Sequence, residues 1–228
     1  FISCMDKYVR RYIHIKQQVI KLFSEQKQAI INRAITHGID RNVKLKPSGV
    51  EFLGDIASHW KIRKIKQVAK LIVSNVDKHT FPEELPVRLC NYVDVYKNER
   101  IRVGMNFMSA TATADEVSRF KLRKGDVVIT KDSEEWTDIA VPAIVEYESE
   151  DFICGYHLAI LRSDTEKIES EFLFRVLQSS IVASQFHVSA NGVTRYGLSH
   201  QAIKDVLIPM PPLDEQRKIA AYIKKEII

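Results

Sequence analysis

The sequence predicts an α+β fold: a globular mixed domain that carries a long coiled-coil-type helix at its N-terminus and the start of a matching helix at its C-terminus. Three observations support this. Residues 4–36 contain neither glycine nor proline and repeat apolar side chains at helical spacing. Between residues 61 and 210, β-branched runs bounded by turn residues alternate irregularly with helical segments, without the beat of a parallel α/β sheet. The chain closes on IPMPPLDEQRKIAAYIKKEII, residues 208–228, where prolines that forbid helix on the near side precede a helix start.

In the first segment, residues 1–37, Met5, Tyr8, Tyr12, Ile15, Val19 and Leu22 alternate gaps of three and four, the seam of a coiled coil, and Ala29 continues it after a polar break at Gln26. A second row of Val9, Ile13, Ile20, Phe23 and Ile30 widens the stripe, so the helix packs on more than one neighbour. Gly38 stands where a C-terminal glycine ends a helix. Residues 38–60, GIDRNVKLKPSGVEFLGDIASHW, read as a connector lying along a surface and pinned by Val50, Phe52, Leu53, Ile56 and Trp60.

Residues 61–210 form the globular part. GDVVIT (125–130), IAVPAIVEY (139–147) and YHLAILR (156–162) are predicted strands; Thr113 to Glu116 has capping-box spacing, and one longer helix is predicted over 168–186. In residues 211–228 Asp214 occupies the N-cap position, Glu215 the first turn, and Ile219, Tyr222, Ile223 and Ile227 open an apolar stripe. A helix of about four turns is marginal alone in water, so it requires a partner. If a second copy followed Ile228 directly, Ile219, Tyr222, Glu226, Phe1 and Met5 would continue the same alternation, and the two ends read as one helix cut in the middle.

The composition, 45% hydrophobic over 228 residues, suffices for a real core. No apolar stretch is long enough to span a membrane and the N-terminus lacks a signal-peptide core, so a cytoplasmic location without membrane contact is expected. Cys4, Cys90 and Cys154 are widely spaced, which argues against a disulfide framework or a zinc site. The net charge of +5 is modest, but its distribution is uneven: Lys61, Arg63, Lys64, Lys66 and Lys70 cluster without an acid among them, and Lys121, Arg123 and Lys124 form a second group.

Three stretches, SGVEFLGDIASHW (48–60), GDVVITKDSEEWTDIAVPA (125–143) and ANGVTRYGLSHQAIKDVLIPMPPLDEQRKIAAY (190–222), resemble the specificity subunit of type I restriction-modification enzymes. The resemblance covers the whole chain and is most specific in the last stretch. It implies two target-recognition domains separated by two conserved helices packed antiparallel, each domain reading one half of a split DNA sequence. This chain holds one such domain, about residues 61–210, and is expected to be either a fragment or a half-subunit that dimerises; the absence of Met at position 1 favours a trimmed chain. The partners implied are double-stranded DNA, methyltransferase subunits bringing S-adenosylmethionine and restriction subunits bringing ATP and magnesium, with no cofactor or metal in this chain.

Catalytic motifs are not found. Pro211-Pro212 is preceded by Met210, where an adenine methyltransferase would need asparagine or aspartate, and no phosphate loop, H-E-x-x-H or G-x-S-x-G occurs. Asp126, Asp132, Glu134 and Glu135 near Lys131 imitate a nuclease cluster but lack a completing acid-x-lysine unit. The chain is therefore expected to be a non-catalytic subunit. A rival reading is a dimerising scaffold or anti-restriction decoy without useful DNA affinity.

Recognition domains differ where their targets differ, so DNA-contacting residues are chosen from chemistry. Lys61, Arg63, Lys64 and Lys66 suit phosphate; Lys131, Asp132, Ser133 and Thr137 offer donors and acceptors on a loop after a strand, with the acid able to accept from a cytosine amino group. Asn75, Lys78, His79, Asn106 and Ser109 lie on two further loops. In SANGVTRYG, Gly192 and Gly197 permit close approach while Asn191, Thr194 and Arg195 can reach adenine, phosphate or guanine; Arg195 could instead hold the loop through backbone carbonyls. For assembly, Met5, Tyr8, Tyr12, Ile15, Val19, Leu22, Ile219 and Tyr222 are the predicted interface of a homodimer in isolation.

Overall fold

The structure, a computed structural model, describes residues 2–227, with side chains from Asp6 onward, so Met5 lies outside the described side chains. Helix α1 (Ile2–His37) runs as the periodicity requires and ends at Gly38, whose φ of +76° and N–H bond to the Ala34 carbonyl, 3.1 Å, make the expected stop. Among the described side chains, only those of its last turns enter the core, through Ile31, Ala34 and Ile35. Upstream, Tyr8, Val9, Tyr12, Ile13, Ile15, Val19, Ile20, Leu22 and Phe23 are 40–68% exposed.

The connector folds into a hairpin of β1 (Leu45–Pro47) and β2 (Asp55–Ala57), anchored by fully buried Ile56 and Trp60; Phe52, expected to pin it, is on the surface. The globular part then runs β3 (Lys61–Lys64), β4 (Ala69–Val73), β5 (Leu85–Cys90), α2 (Tyr92–Lys97), β6 (Arg100–Ile101), β7 (Met108–Ala112) and α3 (Ala114–Phe120). It continues with β8 (Val127–Thr130), β9 (Asp132–Ser133), β10 (Pro142–Val145), β11 (Phe152–Cys154), β12 (Leu158–Ser163), α4 (Ser170–Gln178) and α5 (Ser180–Ser189). Last come β13 (Tyr196–Gly197), α6 (His200–Asp205), β14 (Leu207–Met210) and α7 (Leu213–Glu226).

A five-stranded sheet, β4-β12-β8-β10-β6, divides the interior in two. Val127, Ile129, Ala159 and Leu161 face one core, closed by α4, α5, α7 and the end of α1; Val128, Leu158, Ile160 and Val145 face the other, closed by the sheet β11-β5-β7 with α3. Because successive side chains point to opposite faces, burial on both sides makes VVI and LAIL continuous apolar runs rather than alternating ones.

Residues 168–186 were predicted as one helix and form two, with a break at Ser179, whose ψ of 129° is extended. No glycine or proline marks the break. It is stabilised from α1: Gln28 donates to the Gln178 carbonyl (3.2 Å) and accepts from the Ser180 N–H (3.0 Å), while Asn32 bonds both Ser179 and Ser180 hydroxyls (2.7 and 2.9 Å). Gln28 satisfies two backbone groups that an uninterrupted helix would pair internally, while Asn32 ties down the two hydroxyls.

Helix α7 starts two residues earlier than predicted, with Pro212 rather than Asp214 at the N-cap; Asp214 lies in the first turn and pairs with Arg217 at 2.8 Å. Gln216, Ile219, Ala220 and Ile223 form its buried face. Ile219 is therefore core rather than a site for a second copy, a correction of the interface reading, because the three-and-four spacing served packing within the chain. Tyr222, on the other flank, is 39% exposed.

Candidate nucleic-acid interface

Four loop regions converge on an open cleft of about 650 Å³. Its walls are Val76 to His79 after β4, Asn91 to Asp94 at the start of α2, Asn106 to Met108 before β7, and Tyr156-His157 before β12. Val76 and Phe107 give it a buried apolar part, and the other lining residues include exposed Met108 and amide, imidazole, phenol, ammonium and carboxyl groups. Burial raises the Asp94 carboxyl above its ordinary range, against the backbone N–H of Asn91 that holds it at 2.8 Å.

Beside the cleft, Asp132 gathers three cationic or polar neighbours. Its Oδ1 lies 2.6 Å from His157 Nδ1 and accepts from Arg195 Nε at 2.9 Å, and its Oδ2 lies 3.3 Å from Lys131 Nζ. Lys131 Nζ also stands 5.1 Å from the Tyr156 ring centroid. Arg195 reaches this cluster because residues 191–197 form a closed loop: Asn191 and Gly197 exchange backbone bonds of 3.1 and 2.9 Å, and β13 pairs with β9. At Gly192, φ +152°, a Cβ would stand 1.9 Å from the Arg195 carbonyl, so only glycine fits.

The family model for the type I restriction modification DNA specificity domain matches residues 57–227. The chain belongs to this family. Over 173 residues it is 23% identical to the putative type I restriction enzyme MjaX specificity subunit of Methanocaldococcus jannaschii, covering 75% of this chain and 40% of that one. Over 211 residues it is 21% identical to the type I restriction enzyme MjaVIII specificity subunit of the same organism, covering 90% and 47%. The fold matches the HsdS subunit from Thermoanaerobacter tengcongensis with a TM-score of 0.57 at 15% identity, covering 99% of this chain and 49% of that one. A chain from a structure of complex assembly and conformational transition of the type I R-M system matches equally, TM-score 0.57 at 16% identity, covering 97% and 50%. The chain thus spans about half the length of these relatives, or less.

Against the specificity-domain fold, the predicted contact residues fall into separate groups. Lys78, His79 and Asn106 share the cleft, and Lys131, Asp132 and Arg195 form its neighbouring cluster. Asn191 and Thr194 are exposed on the 191–197 loop, and Ser109 is exposed on β7. Ser133 is turned inward, 5% exposed, bonding Tyr92 Oη at 3.0 Å and the Glu135 N–H, which corrects its reading as a free donor. Asn75 is occupied by Glu116, which also closes the cap of α3 on Thr113. Thr137 belongs to a different groove, lined by Lys27 and Gln28 of α1 and by His187.

Lys61, Arg63 and Lys64 lie on β3, paired with β14, and Lys66 follows it. Lys64 and Lys66 both bind Asp205, at 3.0 and 2.9 Å, and these bonds with Gln201 hold the Asp205 carboxyl well below the usual carboxylate range. Lys61 and Arg63 remain exposed on the same strand. Asp126, part of the apparent nuclease cluster, is instead buried and clamped by Arg162 through bonds of 2.8 and 2.7 Å. Sequence reasoning missed Tyr92, Tyr156 and His157. The only local signal was a Tyr-His pair opening a strand, and the meetings of His157 with Asp132 and of Tyr92 with Ser133 are long-range events.

Proposed function

We propose that this chain is the sequence-reading part of a type I restriction-modification enzyme, binding one half of a split duplex target and catalysing nothing itself. The observation that carries the reading is the convergence of the cleft and the Asp132 cluster, built from loops far apart in sequence, on a family described by DNA specificity. Loops on a rigid two-core scaffold are where recognition varies without disturbing the fold. Phosphate contacts would come from Lys61, Arg63 and their neighbours, and base contacts from the cleft side. The work of adenine flipping and methyl transfer would belong to methyltransferase subunits carrying S-adenosylmethionine, and cleavage to restriction subunits using ATP and magnesium. The neighbour from an assembled type I system supports docking to such subunits. Among the described residues no helix is long and apolar enough to cross a membrane, in keeping with work on DNA in the cytoplasm.

The uncovered stripe of α1 supports a second element of this reading. Tyr8, Tyr12, Ile15, Val19 and Leu22 are exposed in the single chain and would be covered by a second conserved helix or, in the isolated chain, by a second copy. Such a dimer would present two domains in inverted orientation with an unread gap between their sites. Enrichment of the purified chain on random duplex DNA tests this: two inverted copies at fixed spacing are expected. No enrichment would favour a scaffold or decoy without DNA affinity.

A further inference from the structure

The Asp132 cluster does more than close a loop. Arg195 has its Nε committed to Asp132 Oδ1 at 2.9 Å, and its Nη2 stands 3.4 Å from His157 Nδ1. Nη1 has no partner among the described residues, and none of the bonds found for Arg195 goes to a backbone carbonyl, so the loop-holding role considered above takes a different form: the carboxylate holds the arginine. Asp132 is itself fixed, its side chain only 13% exposed and bonded to His157 and Lys131, while the Arg195 side chain is 46% exposed. A guanidinium held along its Nε edge keeps its planar end, Nη1 with the outer hydrogen of Nη2, as two parallel donors. Anchoring also removes rotamer freedom before any ligand arrives, which lowers the entropy cost of using that end.

Two DNA groups accept such a fork: a phosphate, and the O6/N7 edge of guanine in the major groove. The surroundings discriminate. Residues 131–138 set one cation, Lys131, against four carboxylates, Asp132, Glu134, Glu135 and Asp138. Glu134 and Glu135 are exposed. Phosphate attraction is mainly Coulombic and is weakened where a carboxylate, here Asp132, already pairs with the arginine, whereas the hydrogen-bond match to guanine depends on geometry and survives charge balance.

We propose that Arg195 reads a guanine of the target, with Asp132 and His157 as positioning residues that hold its fork beside the cleft. The inference rests on the DNA-reading function proposed above. It also reassigns Asp132, taken from the sequence as an acceptor for cytosine, to the support of the arginine, because its oxygens are already engaged.

The test uses the full chain and a random duplex library. The unmodified chain should enrich a sequence with a fixed G·C pair in each half-site, and replacing that guanine by 7-deazaguanine should weaken binding about 5- to 100-fold. Arg195→Ala and Arg195→Lys should lose discrimination at that pair and keep it elsewhere, Lys failing because it lacks the planar fork. Asp132→Asn should relax the same pair more weakly, a pattern that general loosening of the loop would not give. An unchanged sequence preference in Arg195→Lys, together with no effect of 7-deazaguanine at any fixed pair, overturns the proposal even if the alanine variant fails to fold. Uniform weakening on all sequences with a shallower salt dependence also overturns it, assigning Arg195 to phosphate. Failure of the unmodified chain to enrich any sequence is a different result: it removes the DNA-reading function and this inference with it.

Discussion

Gln216 fastens the closing helix to the recognition domain, and its replacement should be costly. The side chain is fully buried; its Oε1 accepts from the Glu169 N–H at 2.9 Å, and its Nε2 donates to the carbonyls of Lys167 and Pro211 at 3.1 and 2.9 Å. One amide thus joins the segment before α4 to the turn that launches α7. Gln216→Leu keeps most of the volume but orphans one buried N–H and two carbonyls. At about 1 kcal/mol for each bond the loss is about 3 kcal/mol, and at roughly 2–4 °C per kcal/mol for a chain of this size the melting midpoint should fall by about 6–12 °C. Gln216→Glu should be worse, because a carboxylate at the amide position faces two carbonyl oxygens without a proton to give them. Urea denaturation followed by circular dichroism measures the difference. A loss under about 1 kcal/mol in both variants would show that water replaces the amide and that the fastening lies elsewhere.

Other perturbations test separate parts of the structure. Tyr12→Glu with Val19→Glu should convert a dimer to monomers and abolish preference for a split site while the domain stays folded; a monomeric unmodified chain at micromolar concentration in sedimentation, free of aggregation, would refute the dimer. Asp126→Ala leaves Arg162, whose side chain is 22% exposed, with only the Lys121 carbonyl at 2.9 Å, and losing the charged bonds to Asp126 should cost about 1.5–3 kcal/mol, to be read by denaturation. Gly192→Ala should cost more than about 1 kcal/mol of local stability and displace Arg195, seen as faster amide exchange in residues 191–197. Burial lowers the His187 pKa, so the unfolded chain binds more protons: His187 favours folding above the ordinary histidine value and withdraws that support as pH falls below it. His187→Gln should flatten this part of the stability–pH curve, and an unchanged curve would place the sensitive group elsewhere.

The long helix was legible because its signal is local: helical spacing uninterrupted by a breaker until Gly38. The strands at 125–130 and 156–162 were legible because burial on both faces made them uniformly apolar. Strand β4 was hidden inside a basic run, since AKLIV follows KIRKIKQV and charge drew the reading away from pairing. The break at Ser179 left no local mark because what stabilises it, Gln28 and Asn32, lies nearly 150 positions away. Ile219 was misplaced because it shares one apolar stripe with half-exposed Tyr222, and spacing alone does not say which part of the stripe meets the domain. In the same way Arg195 and Asp132 were each legible as polar loop residues, but their bond across a separation of 63 positions, and its consequence for both roles, required the fold.

The central claim is that this chain distinguishes one duplex sequence from another. The most direct measurement is the ratio of dissociation constants for its enriched duplex and for a scrambled duplex of equal length and composition, at the same near-physiological ionic strength. The account predicts a ratio of at least about 1,000, with a steep salt dependence shared by both duplexes. Equal affinities across the salt range would mean that the basic strand binds backbone alone and that the cleft and the Asp132 cluster read nothing.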